Sequence, residues 1–156
     1  NYILSKMSNE GSEFAVALKE AQDCGYAEFD PSDDIDGMDT AYKVILSSCK
    51  GFGVLVSMQD IDIYGIRYIS ARDIAYACTH DYVCKLIGTG VKSNDGISAT
   101  VIPTFVPKQN LFATISANFN AIESASRTLG KMTYVGQGAG CYPTAHAVTG
   151  FNRFDV

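Results

Sequence analysis

Residues 25–49 read GYAEFDPSDDIDGMDTAYKVILSSC and join an acidic segment to the clearest amphipathic helix of the chain. Residues 26–37 show neither a helical nor a strand period and contain Pro31, so they predict an ordered loop. Asp36 is the predicted N-cap of the following helix, with Asp39 three residues later in a capping-box arrangement. Apolar residues then recur at the spacing of a helix that buries one face: Met38, Ala41, Tyr42, Ile45, Leu46 and Cys49.

Helical patterns dominate the chain before this stretch, and strand patterns dominate after it. A first helix is predicted to stop at Gly11, and a second to begin after an N-cap at Ser12 and to end before Gly25. A hairpin turn is predicted at Asp95-Gly96, and Pro103 predicts an edge strand or a bulge. The remaining predicted elements are strands at 60–64, 83–91, 97–106, 121–126 and 132–135, a helix over 70–82 and a final helix from Pro143. This order predicts an α+β fold, a two-layer sandwich with helices packed on one mixed or antiparallel β-sheet.

Composition excludes several classes of protein. The 156 residues fit one domain, and 47% hydrophobic with 19% charged residues is a folded, globular composition. A net charge of −5 without a basic cluster argues against a nucleic-acid partner, and no apolar run is long enough for a membrane helix. The cysteines are irregularly spaced, which argues against a disulfide framework or a zinc site and is typical of a cytoplasmic protein: Cys24, Cys49, Cys78, Cys84 and Cys141.

The acidic segment is the strongest candidate for a functional site. Six acids lie between Glu28 and Asp39, and Lys43 follows Asp39 by one helical turn, in the order that favours an ion pair. One interpretation is a site for a ligand with an ammonium group, in which carboxylates bind the ammonium and the lysine donates a proton to a reacting oxygen. The other is a solvated loop with a surface ion pair worth about 0.5 kcal/mol. Composition alone favours the second interpretation.

Three other kinds of site are weaker. An EF-hand that uses Gly37 as its central glycine would place Lys43 where a bidentate glutamate is required, which excludes it. The glycine-rich residues 136–140 could let backbone amides approach a phosphate, but Cys141 breaks the dinucleotide fingerprint, so a tight turn is favoured. His80 and His146 have no visible third ligand, so no metal site is predicted.

Taken together, these segments resemble the sequences of the homoserine dehydrogenase family. They occur in the family's order and extend over nearly the whole chain. The acidic segment with its lysine is the specific part of the resemblance, and the glycine-rich end is less specific. The matching segments are Asn1-Tyr2-Ile3-Leu4, Glu20-Ala21-Gln22, Gly25-Tyr26-Ala27-Glu28, Asp30-Pro31, Asp33-Asp34, Gly37, Asp39, Lys43, Gly65-Ile66, Asp73-Ile74, Gly136 to Gly140, Pro143-Thr144-Ala145 and Ala147-Val148.

The resemblance implies an oxidoreductase that interconverts L-aspartate 4-semialdehyde and L-homoserine with NADP or NAD, in cytoplasmic threonine and methionine biosynthesis. It implies that Lys43 is the acid or base at the substrate oxygen and that Asp39 orients it. It places Glu28 and Asp34 at the ammonium group of the substrate, and Tyr26 and Gly25 close to the substrate. Three further residues would lie near the cofactor: Gly136, Gly138 and Ala139.

The family also implies a division of the chain. Residues 1–135 correspond to a substrate-binding and dimerisation domain, and residues 136–156 to a glycine-rich return segment and a helix toward a nucleotide-binding domain. The family's N-terminal Rossmann domain and its second active-site lysine are outside this sequence. We therefore expect that the chain begins inside a larger protein, forms a homodimer through strands of its second half, and has no dehydrogenase activity by itself.

Two alternatives remain open at this stage. The chain could be a non-catalytic module that binds an amino acid or mediates dimerisation. It could also be the equivalent domain of another Rossmann-type dehydrogenase, which would share the fold but lack the acidic segment with its lysine.

Overall fold

The computed structural model describes residues 1–150, with helices concentrated in the first half and long strands in the second. The helices are α1 (Tyr2–Glu10), α2 (Phe14–Asp23), α3 (Ser32–Ile35), α4 (Met38–Phe52), α5 (Ala71–Thr79), α6 (Leu111–Thr114) and α7 (Cys141–Gly150), with a short 3-10 turn at Met58–Asp60. The strands are β1 (Ile61–Ile63), β2 (Tyr82–Ser93), β3 (Gly96–Pro107), β4 (Phe119–Ser126) and β5 (Gly130–Gln137). The predicted residues 151–156 of the return segment lie outside the described part.

The α+β prediction is confirmed, but the strands form two sheets and not one. In the first sheet β3 lies in the centre, parallel to β1 and antiparallel to β2. The second is the β4–β5 hairpin. Ser93 pairs with Gly96, so the β2–β3 turn is Asn94-Asp95, one residue earlier than predicted.

Pro103 lies within the unbroken β2–β3 ladder, opposite Leu86, so the predicted bulge is wrong. The alternative prediction, an edge strand, is explained by the short length of β1. β1 pairs with β3 only from Ala99 to Val101, so at Pro103 the far side of β3 is a local edge. A residue without a backbone N–H is tolerated at such a position.

Helices α1, α4 and α5 cover one face of the three-stranded sheet. Leu4 and Met7 of α1 pack with Ile74 of α5 and with Cys84 of β2 in one core cluster. Helix α4 comes very close to β2, because β2 has glycine at the contact points. A Cβ on Gly88 would lie 2.5 Å from Val44 Cγ2 of α4. The packing therefore fixes the distance of α4 from the sheet and its rotation about the helix axis.

Two predicted N-caps are wrong. Helix α4 is preceded by Gly37, whose φ is +88°, and the carboxylate of Asp36 is instead engaged by Arg67. Helix α2 has Glu13 and not Ser12 at its N-cap position. By contrast, the predicted helix over 70–82 begins with a capping box, which Ser70 and Asp73 form at the start of α5. The predicted loop at 26–37 also contains one helical turn, α3.

Candidate functional site

The acidic segment is anchored to the residues that follow β1. Arg67 donates two hydrogen bonds to Asp36, from Nε to Oδ1 at 2.7 Å and from Nη2 to Oδ2 at 2.6 Å. These hydrogen bonds hold the pKa of Asp36 below its ordinary value. Next to them, the backbone N–H of Ile66 donates to the carbonyl of Ile35 at 2.7 Å. The end of α3 is therefore fixed by a bidentate side-chain contact and by a backbone contact.

Gly65 lets the two chain segments come this close. A Cβ at Gly65 would lie 2.2 Å from the Ile35 carbonyl oxygen and 2.4 Å from Asp36 Cα. Both of these neighbours are backbone atoms, which cannot rotate away as a side chain could. The geometry of the acidic segment therefore depends on a glycine at position 65.

Asp39 and Lys43 form the ion pair that their spacing predicted. Lys43 Nζ donates to Asp39 Oδ2 at 2.6 Å across one turn of α4. Both side chains are about half exposed, at 53% for Lys43 and 47% for Asp39. An exposed pair of this kind adds about 0.5 kcal/mol or less to stability. Its consequence is geometric, since it holds the ammonium at the N-terminal end of α4, where the sheet contacts fix the helix.

Asp34 and Glu28 lie close together at the start of the same segment. The half-buried carboxylate of Asp34 lies near the backbone N–H of Glu28. Loss of hydration raises the pKa of Asp34, and the negative charges of Asp39 and Glu28 raise it further. The Gln22 amide donates to the carbonyls of Glu28 and Phe29 and so holds this end of the loop. Three carboxylates near one another favour a cationic ligand.

The shifted pKa of Asp34 gives a prediction with two readouts. A raised pKa means that folding disfavours the charged form, so the carboxylate lowers stability above its ordinary pKa of 3.8. That penalty shrinks as the pH falls below the raised pKa, and it is gone below 3.8, where the carboxyl is protonated in both the folded and the unfolded state. We expect Asp34→Asn to leave the melting temperature at pH 7 unchanged or higher. If Asp34 binds a substrate ammonium, the same change raises KM about 10- to 100-fold.

The matched control is Asp62→Asn, since Asp62 is exposed on β1. Thermal unfolding at pH 7 and steady-state kinetics of the full-length protein measure both effects. A marked drop in melting temperature without a change in KM would show that Asp34 is a structural residue.

A shallow, open cleft of about 570 Å³ lies between the start of the acidic segment and helix α7, which lines it from Cys141 to Thr149. Gly25 lies on one side of it, and a Cβ on Gly140 would be 3.7 Å from Tyr26 Cε1. The Tyr26 ring in turn contacts the ring of Tyr2, with centroids 5.2 Å apart. The lining residues are Gly25, Gly140, Cys141, Thr144, Ala145 and Thr149.

The glycine-rich segment is attached to the turn before β4. The Gly138 N–H donates to the Asn118 carbonyl at 2.8 Å, and Asn118 Nδ2 donates to the Ala139 carbonyl at 3.2 Å. Gly138 and Ala139 therefore lead directly into Gly140 at the cleft. Gly136 lies farther back, within β5 and opposite Asn120, and does not line the cleft.

A model of the family described as homoserine dehydrogenase matches residues 1–150. The chain belongs to this family. Its curated relatives include the homoserine dehydrogenase of Neisseria gonorrhoeae, which is 41% identical over 95% of this chain and 34% of the relative. The homoserine dehydrogenase of Synechocystis is 40% identical over 95% of this chain and 35% of its own length. The chain thus spans about a third of the length of these relatives.

Solved structures of the family have the same fold. The homoserine dehydrogenase of Thiobacillus denitrificans superposes with a TM-score of 0.90 at 38% identity, over 97% of this chain and 35% of that one. The S. aureus homoserine dehydrogenase gives a TM-score of 0.89 at 37% identity, over 97% of this chain and 38% of that one. The helix-and-sheet arrangement described above is therefore the fold that this part of the family adopts.

Sequence reasoning missed several residues of this candidate site. Arg67 and Asn118 act through contacts with residues distant in the sequence, and no local pattern marks such a contact. Gly140 belongs to the glycine-rich segment, but nothing in the sequence distinguishes it from the other glycines there. Within residues 1–150, no group of three or more His, Cys, Asp or Glu side chains could hold a metal ion. No helix of the described residues is long and apolar enough to cross a membrane.

Proposed function

We propose that this chain carries the substrate site of a homoserine dehydrogenase that interconverts L-aspartate 4-semialdehyde and L-homoserine with NADP or NAD. The observation that carries the proposal is the Asp39–Lys43 ion pair next to the Glu28–Asp34 carboxylates, in a chain of this family. The substrate has an ammonium group at one end and a reacting carbonyl at the other. The site offers anionic groups for the first and a proton donor for the second.

In the proposed reaction, Glu28 and Asp34 bind the amino group of the substrate and so orient its aldehyde. Lys43 donates a proton to the aldehyde oxygen as the carbonyl is reduced to the alcohol, and it takes that proton back in the oxidation of homoserine. Asp39 orients Lys43 toward the oxygen. Tyr26 and Gly25 close the side of the site that faces the cleft.

The cleft residues fit the edge of a nicotinamide cofactor, which supplies the hydride when it is bound. Gly138 already contacts Asn120 so closely that a Cβ would lie 2.0 Å from Asn120 Nδ2. A side chain at this position would have to push the exposed Asn120 side chain aside, and glycine leaves the backbone next to the cleft free of side-chain atoms. In this proposal Gly138 and Ala139 contact the cofactor through backbone atoms, with Gly136 nearby in β5. These contacts leave the choice between NADP and NAD to residues elsewhere in the full-length protein.

The test is an assay of the full-length protein. Oxidation of NADPH and of NADH is followed at neutral pH with aspartate semialdehyde as substrate. Turnover that depends on the semialdehyde supports the proposal, and the ratio of kcat/KM for the two cofactors gives the preference. A folded protein that oxidises neither cofactor would contradict it and would favour a module that only binds an amino acid or mediates dimerisation.

We also propose that the chain forms a homodimer through the sheet face that points away from the helices. Val101 and Gly88 face α4, so their neighbours Ile102 and Thr89 point to the opposite side. Val91 and Ile102 on that side are 52% and 38% exposed. Exposed apolar side chains on one sheet face are typical of a protein interface.

Light scattering of the full-length protein at micromolar concentration should give the mass of a dimer, and Ile102→Lys should reduce that mass by half. The lysine would bury a charge in the interface, which is costly without a partner. Leu55→Lys is the control, since Leu55 is 97% exposed in the loop after α4. A monomeric wild type, or a variant that stays dimeric, would rule out this face.

We also propose that the protein is located in the cytoplasm, which is a reducing compartment. It is supported by the cysteines, all five of which are free thiols. Residues 1–135 then supply the substrate and dimer surfaces. Residues from 136 onward return the chain toward the nucleotide-binding part of the full-length protein.

A further inference from the structure

Lys85 is a buried cation that the proposed reaction does not use. It lies in β2, and only 7% of the residue is exposed. Its Nζ donates to the carbonyl of Ile115 and, at 3.1 Å, to the side-chain oxygen of Asn1. Both acceptors are neutral, and loss of hydration lowers the pKa of Lys85. A buried ammonium is costly unless it is hydrogen-bonded, so the burial of Lys85 depends on these two acceptors staying in place.

The turn between α6 and β4 is what these hydrogen bonds hold. Asn1 Nδ2 donates to the Phe119 carbonyl at 2.8 Å, and it is 3.3 Å and 3.4 Å from the carbonyls of Ile115 and Ala117. Ala117 has a φ of +55°, a conformation that an alanine seldom adopts by itself. Lys85 and Asn1 together therefore fix residues 115–119 in a shape that the local sequence does not favour.

The same turn holds the glycine-rich segment on its other side. Asn118 lies between the carbonyls that Asn1 binds, and it makes both hydrogen bonds to Gly138 and Ala139. A displacement of residues 115–119 would therefore move residues 138–139 and, next to them, Gly140 at the cleft. Asn1 is also joined to the opposite side of the cleft, because the next residue, Tyr2, contacts Tyr26.

We propose that Lys85 is a positioning residue whose buried ammonium fixes the turn at residues 115–119 and, through Asn118, the place of Gly138 and Ala139 beside the cleft. The identity of the cleft's ligand as a nicotinamide cofactor rests on the proposed function. The positioning itself does not, since it follows from the hydrogen bonds alone.

Hydrogen exchange tests the positioning without any activity. In the full-length protein, Lys85→Met removes the charge and keeps the length of the side chain. We expect amide exchange in residues 115–119 and 136–140 to become about tenfold faster or more, as for the loss of a charged hydrogen bond, and the β2–β3 ladder to be unchanged. The control is Lys92→Met on the same strand, an exposed lysine that donates to the Phe52 carbonyl.

Two results would overturn the proposal. One is unchanged exchange at 136–140 in a folded Lys85→Met protein, and the other is faster exchange spread evenly over the chain. If Lys85→Met does not fold, Lys85→Leu takes its place in the same measurement, since it is also neutral and has no N–H donor in its side chain. The same criteria then apply.

Kinetics test the consequence for the ligand. Lys85→Met should raise KM for the nicotinamide cofactor about tenfold or more, with a smaller change in KM for the amino-acid substrate. Asn118→Ala should act along the same path, so the double variant should fall short of the product of the two single effects by about threefold or more. Independent, multiplicative effects would refute the link. An inactive wild type would contradict the proposed function, but it would not affect the conclusion from hydrogen exchange.

Discussion

Replacing Lys43 with alanine in the full-length protein should lower kcat for aspartate semialdehyde reduction by about 10²- to 10⁴-fold, the usual contribution of a general acid. The fold should be unaffected, because the Lys43 side chain is 53% exposed and its one ion pair, with Asp39, is at the surface. A loss of rate without a loss of stability separates a proton donor from a structural lysine. Stopped assays at saturating semialdehyde and NADPH measure the first quantity, and thermal unfolding measures the second.

Lys50→Ala is the matched control, because it removes an exposed lysine from the last turn of the same helix. Its kcat should stay close to that of the wild type. The kcat of Asp39→Asn should lie between those of Lys43→Ala and Lys50→Ala, since asparagine keeps the shape of the lysine's partner but removes its charge. Full activity in Lys43→Ala would contradict the assignment of Lys43 and would leave the family membership intact. A change in KM alone would show that Lys43 binds the substrate and does not transfer a proton.

The parts of this site that the sequence predicted are those set by local spacing. Asp39 and Lys43 are four residues apart on a strongly amphipathic helix, so their ion pair follows from helix geometry alone. The buried face of α4 follows only in part from its apolar repeat. Ala41 is buried and Ile45 and Cys49 pack against the core, but Tyr42 and Leu46 are exposed, and Val44 and Ser48 are buried in their place because the helix is rotated toward Gly88 and Gly90 of β2. The α+β order follows from the change of periodicity along the chain, which local sequence also determines.

The parts that the sequence did not predict depend on contacts between distant segments. Asp36 has the right type and position for an N-cap, but Arg67, 31 residues away, binds both of its carboxylate oxygens. The strands β4 and β5 look like members of the main sheet, yet they pair only with each other within the described residues. Lys85 looks like an exposed strand residue until the turn at 115–119 covers it. In each case a tertiary partner decides the outcome, and no local pattern encodes that partner.

Gly65→Ala should have the second large effect, on both the fold and the site. The new methyl group would lie 2.2 Å from the Ile35 carbonyl oxygen, far inside contact distance, so one of the two backbone segments must move. Forcing an extra carbon into a closed contact costs about 1–3 kcal/mol of unfolding free energy. The displaced segment joins α3 to α4 and lies between Asp34 and Asp39. A shift of about 1 Å there can cost on the order of 100-fold in rate, even though Gly65 touches no reacting atom.

Gly51→Ala is the control that separates crowding from the substitution itself. A Cβ at Gly51, near the end of α4, meets no atom within 4 Å. Alanine is also the better helix former, by about 0.5–1 kcal/mol, so this variant should be as stable as the wild type or slightly more stable. Thermal unfolding and kcat/KM of the full-length protein compare the two. If Gly65→Ala keeps both values, the crossing between residues 35–36 and 65–66 can relax, and the acidic segment does not depend on it for its geometry. If stability falls but kcat/KM does not, the contact supports the fold and leaves the positions of Asp34 and Asp39 unchanged.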